Sequence, residues 1–417
     1  MPLQDQSVVR RSDCRLCGSR HLEPVFSLTP TPPANALVSA DQVGQPQAVY
    51  PLDLFFCTDC GHLQLLDVVD PALLFENYVY VSGTSPSFVR HFQDYAGALI
   101  TGFNLAPDSL VVDIGSNDGT LLKAFKDQGL RVMGVDPAKD IAAKATADGV
   151  PTLAEFFSLE TARRITGEVG QASVVTANNV FAHADDLAGI VEGVRELLAP
   201  DGLFSFEVSY LMDVFEKTLF DTIYHEHLSY HSLKPLCRFL DAQGMQPVKV
   251  ERPETHGGSL RVISQLKGGA RSVDSSVSAL VDLEEQKGLD RAETFRGYGA
   301  QIDQLRDDLG SLLGDLKARN KVIAAFGAPA KATTLMYHFG LGSGVIDFIV
   351  DDSPLKQGLF SPGFHIPILP VTALYERMPD YVLILAWNFA TPIMKNNQRY
   401  REAGGQFIVP LPKLEVF

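Results

Sequence analysis

Two cysteine pairs stand near the N-terminus, Cys14-x-x-Cys17 in CRLCG and Cys57-x-x-Cys60 in CTDCG. Paired thiolates at this spacing form knuckles that can present four sulfurs to one Zn2+ in a tetrahedron, and a glycine after each pair suits the tight turn. All four positions would be ligands, so no position stays open for a substrate and the metal is structural. Four free or redox-active thiols are the competing reading. The long insert between the pairs calls for a small β-subdomain, with little fold of its own in the absence of metal. Cys237 has no partner and reads as a core residue.

A second cluster lies in FDTIYHEHLSYHS, residues 220–232, where His225, His227 and His231 alternate with Tyr224, Glu226 and Tyr230. Three chemistries fit. A His-x-His pair can chelate a metal, but HExxH is absent and the chain already holds a full cysteine set. The rings can also form a hydrogen-bonded structural network. The third is acid–base catalysis, because imidazole titrates near neutrality and a neighbouring tyrosine or glutamate can orient it or steady charge on a carbonyl oxygen.

Residues 110–123, LVVDIGSNDGTLLK, read as a buried strand, a glycine turn and a helix. Asp113 ends the strand, and Gly115 and Gly119 let a ligand approach the backbone. No GK[ST] follows, so this is not a phosphate-binding P-loop, and the glycines are spaced wrongly for G-x-G-x-x-G. The next strand, RVMGVDP, ends in Asp136, where an acid can hold both hydroxyls of a ribose. A later strand, ASVVTANNVFAHADD, carries Asn178, Asn179 and His183 at its end, which is where open parallel sheets bind ligands.

The pattern repeats in AAFGAPAKATTLMYH, where Gly327 to Lys331 form a turn before a helix. A lone G-x-x-x-K is ordinarily a plain helix start. Free N–H groups and the Lys331 charge there also suit an anion. Asp351, Asp352 and Lys356 follow the next strand, Trp387 and Asn388 another. ETHGGSLRV adds His256, Gly257 and Arg261.

The elements that must position these groups fall into three regions. The chain has 417 residues, with 35 Lys+Arg against 50 Asp+Glu and a net charge of −15. That length suits two or three domains, and 46% hydrophobic with 20% charged residues is an ordinary globular mix. The acidic balance argues against nucleic acid as a partner, though a local cleft can oppose it. No apolar run is long enough to span a bilayer, and the first residues lack the apolar core of a signal peptide. A cytoplasmic protein is therefore expected. Strand–helix alternation occupies residues 76 to about 265. A polar segment, Gly268–Lys321, suggests helices interrupted by Gly288, Gly297 and Gly299. VIAAFG, VIDFIVDD, YVLILAW and GGQFIVPLP then give four strands of a second α/β unit.

The order strand–DxGxxxG–helix–strand–acid resembles class I S-adenosylmethionine-dependent methyltransferases. With the two CxxC pairs, the GSNDG turn, Tyr224-x-Glu226-His227, His256-Gly257-Gly258 and Gly327-Ala-Pro-Ala-Lys331, the whole chain resembles the sugar C-methyltransferases acting at C-3 of nucleotide-linked 4-keto deoxysugars, including the tetronitrose-pathway type. The resemblance implies an α/β fold: a zinc-binding subdomain (1–75), a Rossmann-like class I methyltransferase domain (76–267), and a second Rossmann-like domain for the nucleotide sugar (268–417). It implies that Asp113, Gly115, Asn117, Gly119, Asp136 and Asn178, with Phe156 as a weaker candidate, contact S-adenosylmethionine. His227 is the implied base, with Tyr224, Glu226 and His183 in its pocket. Tyr78 or Tyr80 matches a tyrosine at the pocket mouth. His225, His256, Gly257, Arg261, Gly327, Lys331, Asp351, Lys356 and Asn388 are implied on the substrate side. Rival readings are a nicotinamide-dependent sugar oxidoreductase or epimerase, which the missing fingerprint disfavours, an O- or N-methyltransferase, and a non-catalytic zinc protein. Oligomeric state is not indicated.

Overall fold

The computed structural model describes residues 7–75, 83 and 86–417, apart from the side chains of Phe75 and His256. Tyr78 and Tyr80 lie outside the described residues.

The N-terminal sheet runs Ser229–Tyr230, Leu63–Leu65, Tyr50–Cys57, Leu22–Thr31, all antiparallel. Tyr50–Cys57 alternates along YPLDLFFC, so Leu52, Leu54 and Phe56 are buried on one face. Its first strand in that order comes from far along the chain: Ser229–Tyr230 begins two residues after His227.

The central sheet has seven strands in the order Met245–Glu251, Ser259–Leu266, Leu198–Ser209, Ala172–Asn178, Leu110–Ile114, Arg131–Val135, Thr152–Leu153. Ser259–Leu266 is antiparallel to both neighbours, and the others share one direction. Leu110–Ile114 is buried along its whole length, as expected of a strand covered on both faces. Helix Pro86–Phe103 packs one face through Phe88, Phe92, Tyr95, Ala96 and Leu99. Parallel strands joined by right-handed crossovers bring the carboxyl ends of Leu110–Ile114, Arg131–Val135, Ala172–Asn178 and Leu198–Ser209 to one edge.

The third sheet runs Ile368–Leu369, Phe348–Val350, Ile323–Phe326, Tyr381–Ile384, Gln406–Val409, Glu415–Val416. Its first five strands are parallel and the last is antiparallel. All four strands read from the apolar runs are present.

The polar segment forms two helices, Ser275–Gln286 and Ala292–Ala318. Asp274 caps the first by accepting from the Ser276 N–H at 2.8 Å. The break falls at Gly288 (φ +72°), whereas Gly297 and Gly299 stay inside the long helix. At Gly299 the reason is packing: a Cβ there would sit 2.6 Å from Cβ of Phe26 on the N-terminal sheet. The long helix therefore lies tight against that sheet, with Phe26 edge-on to Tyr298 and Phe56 against Phe295. One hydrophobic cluster runs through the N-terminal sheet, a face of the central sheet and the C-terminal unit. Among the described residues no helix is long and apolar enough to cross a membrane.

Candidate active site and metal centre

The two knuckles fold alike. In each, the glycine N–H returns to the first cysteine's carbonyl: Gly18 to Cys14 and Gly61 to Cys57, both at 2.8 Å. Both glycines take positive φ, +70° and +86°. All five cysteines are free thiols. The sulfurs of Cys14, Cys17, Cys57 and Cys60 lie within 4.8 Å of one another, with Cys14–Cys60 and Cys17–Cys57 at 3.6 Å. Four sulfurs about 2.3 Å from one zinc stand roughly 3.8 Å apart, so the donor set fits a tetrahedral ion. Cys237 is only half-buried against the core, and burial pushes its thiol up to about 11.

At the carboxyl edge of the central sheet, Asp113 is buried and accepts from the Thr176 hydroxyl at 2.6 Å. Burial raises its pKa to about 7. Gly115 leaves the strand at φ +68°, and a Cβ there would meet Val180 Cγ2 at 2.2 Å. Gly119 takes φ +74°, and its Cβ would meet Val150 at 2.9 Å. Asn117 sits in the left-handed region at φ +49°, and its N–H donates to Asp136 Oδ2 at 2.8 Å. Asp136 thereby fixes the turn while lying at the end of the next strand. Burial raises its pKa, against the two N–H donors of Ala138 and Asn117. Both side-chain polar atoms of Asn178 are buried without a partner among the described residues, as is the Ser116 hydroxyl. Unsatisfied polar atoms at a strand end beside a glycine turn are what a polar ligand would complete. The residues therefore fit a bound S-adenosylmethionine. Phe156 is 50% exposed, just past Thr152–Leu153.

The histidine stretch begins with a short turn, Phe220–Thr222. The Thr222 carbonyl accepts from Nδ1 of His227 at 2.7 Å. That bond places the neutral imidazole's proton on Nδ1 and its lone pair on Nε2. The Tyr224 ring lies 4.2 Å from the His227 ring and the His183 ring 4.9 Å, centroid to centroid. Burial, with His227 adding to it, drives His183 well below its ordinary pKa, so it is neutral. Glu226 is buried with one long donor, Asn35 Nδ2 at 3.4 Å. Its pKa is pushed up to about 7 by that burial. His183, Tyr224 and His227 are thus brought together, with Glu226 beside them in the chain.

His225 engages the N-terminal sheet instead: its Nε2 donates to the Tyr50 carbonyl at 3.2 Å and its ring meets Tyr50 edge-on. His225 and Glu226 are the middle residues of a turn closed by the His227 N–H on the Tyr224 carbonyl at 2.8 Å, which turns His225 away from His227. His231 stacks on His62 and donates to the Phe181 carbonyl. Arg261, expected on the substrate side, is already neutralised. It bonds Glu207 at 2.8 and 3.1 Å and Glu251 at 2.8 Å, and lies 3.6 Å over the Tyr95 ring. A buried guanidinium held by two carboxylates is not available to a phosphate.

The C-terminal unit builds its turn the same way. The Ala328 N–H donates to Asp351 Oδ2 at 2.7 Å, as Asn117 does to Asp136. Gly327 takes φ +90° against Ala386. Lys356 donates to the Ala328 carbonyl at 2.7 Å. Lys331 pairs with the fully buried Asp221 at 3.1 Å and lies 4.2 Å over Trp387, whose indole N–H also donates to Asp221 at 2.6 Å. Asp221 belongs to the turn preceding Tyr224, so Lys331 is tied to the histidine stretch. Asn388 is exposed, and Gly257 takes φ +92° against Leu219. Asn35, the Thr222 carbonyl and Asp221 were not singled out from the sequence. Asp221 and Thr222 had one signal, their place in the quoted stretch, and Asn35 had none.

Zinc binding domain, methyltransferase domain and C-methyltransferase C-terminal domain models match residues 14–75, 88–250 and 254–412. The fold and the two sites therefore define an S-adenosylmethionine-dependent methyltransferase with a structural zinc domain. C-methyltransferase NovU of Streptomyces niveus is 36% identical over 412 residues, covering 99% of this chain and 98% of that one. The chain belongs to the NovU-like C-methyltransferases. Among solved structures, PH0226 of Pyrococcus horikoshii gives a TM-score of 0.38 at 15% identity, over 47% of this chain and 98% of its own. Magnesium protoporphyrin IX methyltransferase of Synechocystis, with bound SAM, gives 0.33 at 14% identity, over 43% and 79%. Scores this low carry no argument about this chain.

Proposed function

We propose that the acceptor is C-3 of a nucleotide-linked 4-keto deoxysugar and that His227 is the base. The observation that carries this reading is the 2.7 Å bond from His227 Nδ1 to the Thr222 carbonyl, which directs a lone pair to Nε2 in a pocket shared with Tyr224 and His183. Methylation at carbon needs such a base. Carbon beside a carbonyl becomes nucleophilic only after its proton leaves, whereas an amine already has its electron pair. Nε2 of His227 takes the C-3 proton, and the C–H electrons move into an enolate whose charge rests on the C-4 oxygen. When bound, S-adenosylmethionine would supply an electrophilic methyl: C-3 would bond to that carbon as the carbon–sulfur bond breaks, with S-adenosylhomocysteine as the leaving group. The proton remains on His227 until solvent removes it.

Glu226, at about pKa 7, is substantially protonated near neutrality and can donate to the enolate oxygen. Tyr224 and His183 hold the ring. Asp113, Gly115, Asn117, Gly119, Asp136 and Asn178 hold the donor. Gly327, Lys331, Asp351, Lys356 and Asn388 serve the nucleotide diphosphate, and Tyr78 or Tyr80, His256 and Gly257 are further substrate-side candidates. Compartment is cytoplasmic on this reading.

Incubation with S-adenosylmethionine and dTDP-, CDP- and GDP-linked 4-keto deoxysugars should give one product heavier by CH2, with the new methyl on C-3 by NMR. His227→Asn should lose both methyl transfer and deuterium exchange at C-3. Wild-type exchange in that variant would remove His227 as the base, and a methyl on oxygen or nitrogen would remove the reaction class.

A further inference from the structure

Arg15 lies between the zinc ligands Cys14 and Cys17, yet its side chain is wholly buried and leaves the knuckle. Its backbone is fixed by the metal turn and by its own N–H, which donates to Gln64 Oε1 at 3.1 Å. From there the guanidinium spans to both loops that carry the site's histidines. Nε donates to Asp185 Oδ1 at 3.0 Å, and Asp185 is two residues past His183. Nη1 donates to the carbonyls of Leu65 and of Leu228, the latter at 3.4 Å, and Leu228 directly follows His227. The same Leu228 carbonyl accepts from the Leu65 N–H at 3.0 Å, and Ser229 N–H donates to the Ala182 carbonyl at 3.1 Å. The two loops thus close on each other and on an arginine rooted in the zinc turn, with Arg11 Nη1 sharing Asp185 Oδ1 at 3.0 Å.

We propose that Arg15 is a positioning residue that sets the spacing of the His183 and His227 rings, so that the zinc knuckle acts on turnover through this side chain. The inference rests on the reading of His227 as the base. Burial depresses His62 and His231, with Arg15 adding a smaller part. The link of Arg15 to the His183 and His227 loops is the set of hydrogen bonds to Asp185 and to the Leu65 and Leu228 carbonyls. A guanidinium suits this role because its planar fork reaches a carboxylate and carbonyls on different segments at once, which an ammonium cannot do. Misplacement of a catalytic group by about 1 Å can cost on the order of 100-fold in rate.

The test compares Arg15→Met, Arg15→Lys and Asp185→Asn as full-length, zinc-loaded proteins. In Arg15→Met, kcat for methyl transfer should fall about 30- to 100-fold, while zinc content by metal analysis and S-adenosylmethionine affinity by calorimetry stay within two-fold. Arg15→Lys should recover only part of the loss. Asp185→Asn, altering a partly exposed partner, should fold as the wild type does and lose a few-fold; combined with Arg15→Met it should add nothing. A geometric readout independent of the reaction is the 15N-imidazole spectrum. The exchange-protected His227 Nδ1 proton, held by Thr222, should broaden or vanish in Arg15→Met and persist in His227-containing controls. Wild-type kcat and an unchanged imidazole spectrum in Arg15→Met would overturn the proposal. So would loss of zinc, which makes Arg15 a residue of the metal fold alone; should that variant not fold, a wild-type kcat in Asp185→Asn overturns it instead. If the spectrum responds in Arg15→Met while His227→Asn still exchanges C-3, the positioning stands and the assignment of the base fails.

Discussion

At the scale of single residues, the site depends on acids kept out of water. Glu226 has a folded pKa of about 7 against an ordinary 4.5, and burial is the cause. Between those values the unfolded chain binds fewer protons than the folded one, so stability falls as pH rises from about 4.5 through 7 and the penalty is complete above it. Glu226→Gln carries no such penalty. It should be more stable than wild type at pH 8, by on the order of 2 kcal/mol, with the difference gone near pH 4; urea melts at the two pH values measure it. Cys14, Cys17, Cys57, Cys60, Tyr224 and His227 were legible in the sequence because their type and spacing carry the chemistry. Asn35 and the Thr222 carbonyl were not, because a backbone oxygen has no residue signature and Asn35 meets Glu226 only through the fold.

At the scale of elements, the glycine turn after Leu110–Ile114 is the most constrained segment. Gly115 combines a left-handed φ with a contact that leaves no room for a methyl group, because Val180 stands where the Cβ would go. Gly115→Ala should therefore shift the turn and weaken S-adenosylmethionine binding at least ten-fold by calorimetry, whereas Gly310→Ala, inside the long helix with nothing within 4 Å of its Cβ, should leave it unchanged. The long strands were legible as buried apolar runs. The two-residue strands Thr152–Leu153, Ser229–Tyr230 and Ile368–Leu369 were not, since so short a stretch has no periodicity and exists only because a neighbour offers it an edge. Gly297 and Gly299 both sit inside the long helix, and Gly299 alone marks close packing, against Phe26, which the sequence alone could not distinguish from a break.

At the scale of the whole molecule, the three regions are joined by buried polar contacts. Asp221 is fully buried and relies on Lys331 and Trp387 from the C-terminal unit. Removing one member of a buried pair strands the other's charge, at a cost of about 3–5 kcal/mol. Lys331→Met should destabilise by that order, and Lys331→Met with Asp221→Asn should recover most of it; denaturant unfolding of the four proteins tests the cycle. Composition marked three regions, but the contacts joining them were not visible, because each pairs residues far apart in sequence. Arg261 shows the same limit: nothing local in ETHGGSLRV reveals that Glu207 and Glu251 already hold it.

The strand Ser229–Tyr230, which completes the N-terminal sheet, has a consequence for biosynthesis. A ribosome makes Leu63–Leu65 long before it reaches residue 229, at about 5–20 residues per second. For on the order of ten seconds, the nascent zinc-binding unit presents an unpaired, apolar strand edge, the kind of edge that recruits other chains. The N-terminal unit can bind its metal early, yet it closes only when the segment bearing the histidines has emerged. The segment that bears the histidines thus completes the N-terminal sheet and brings His227 to its place in the same event.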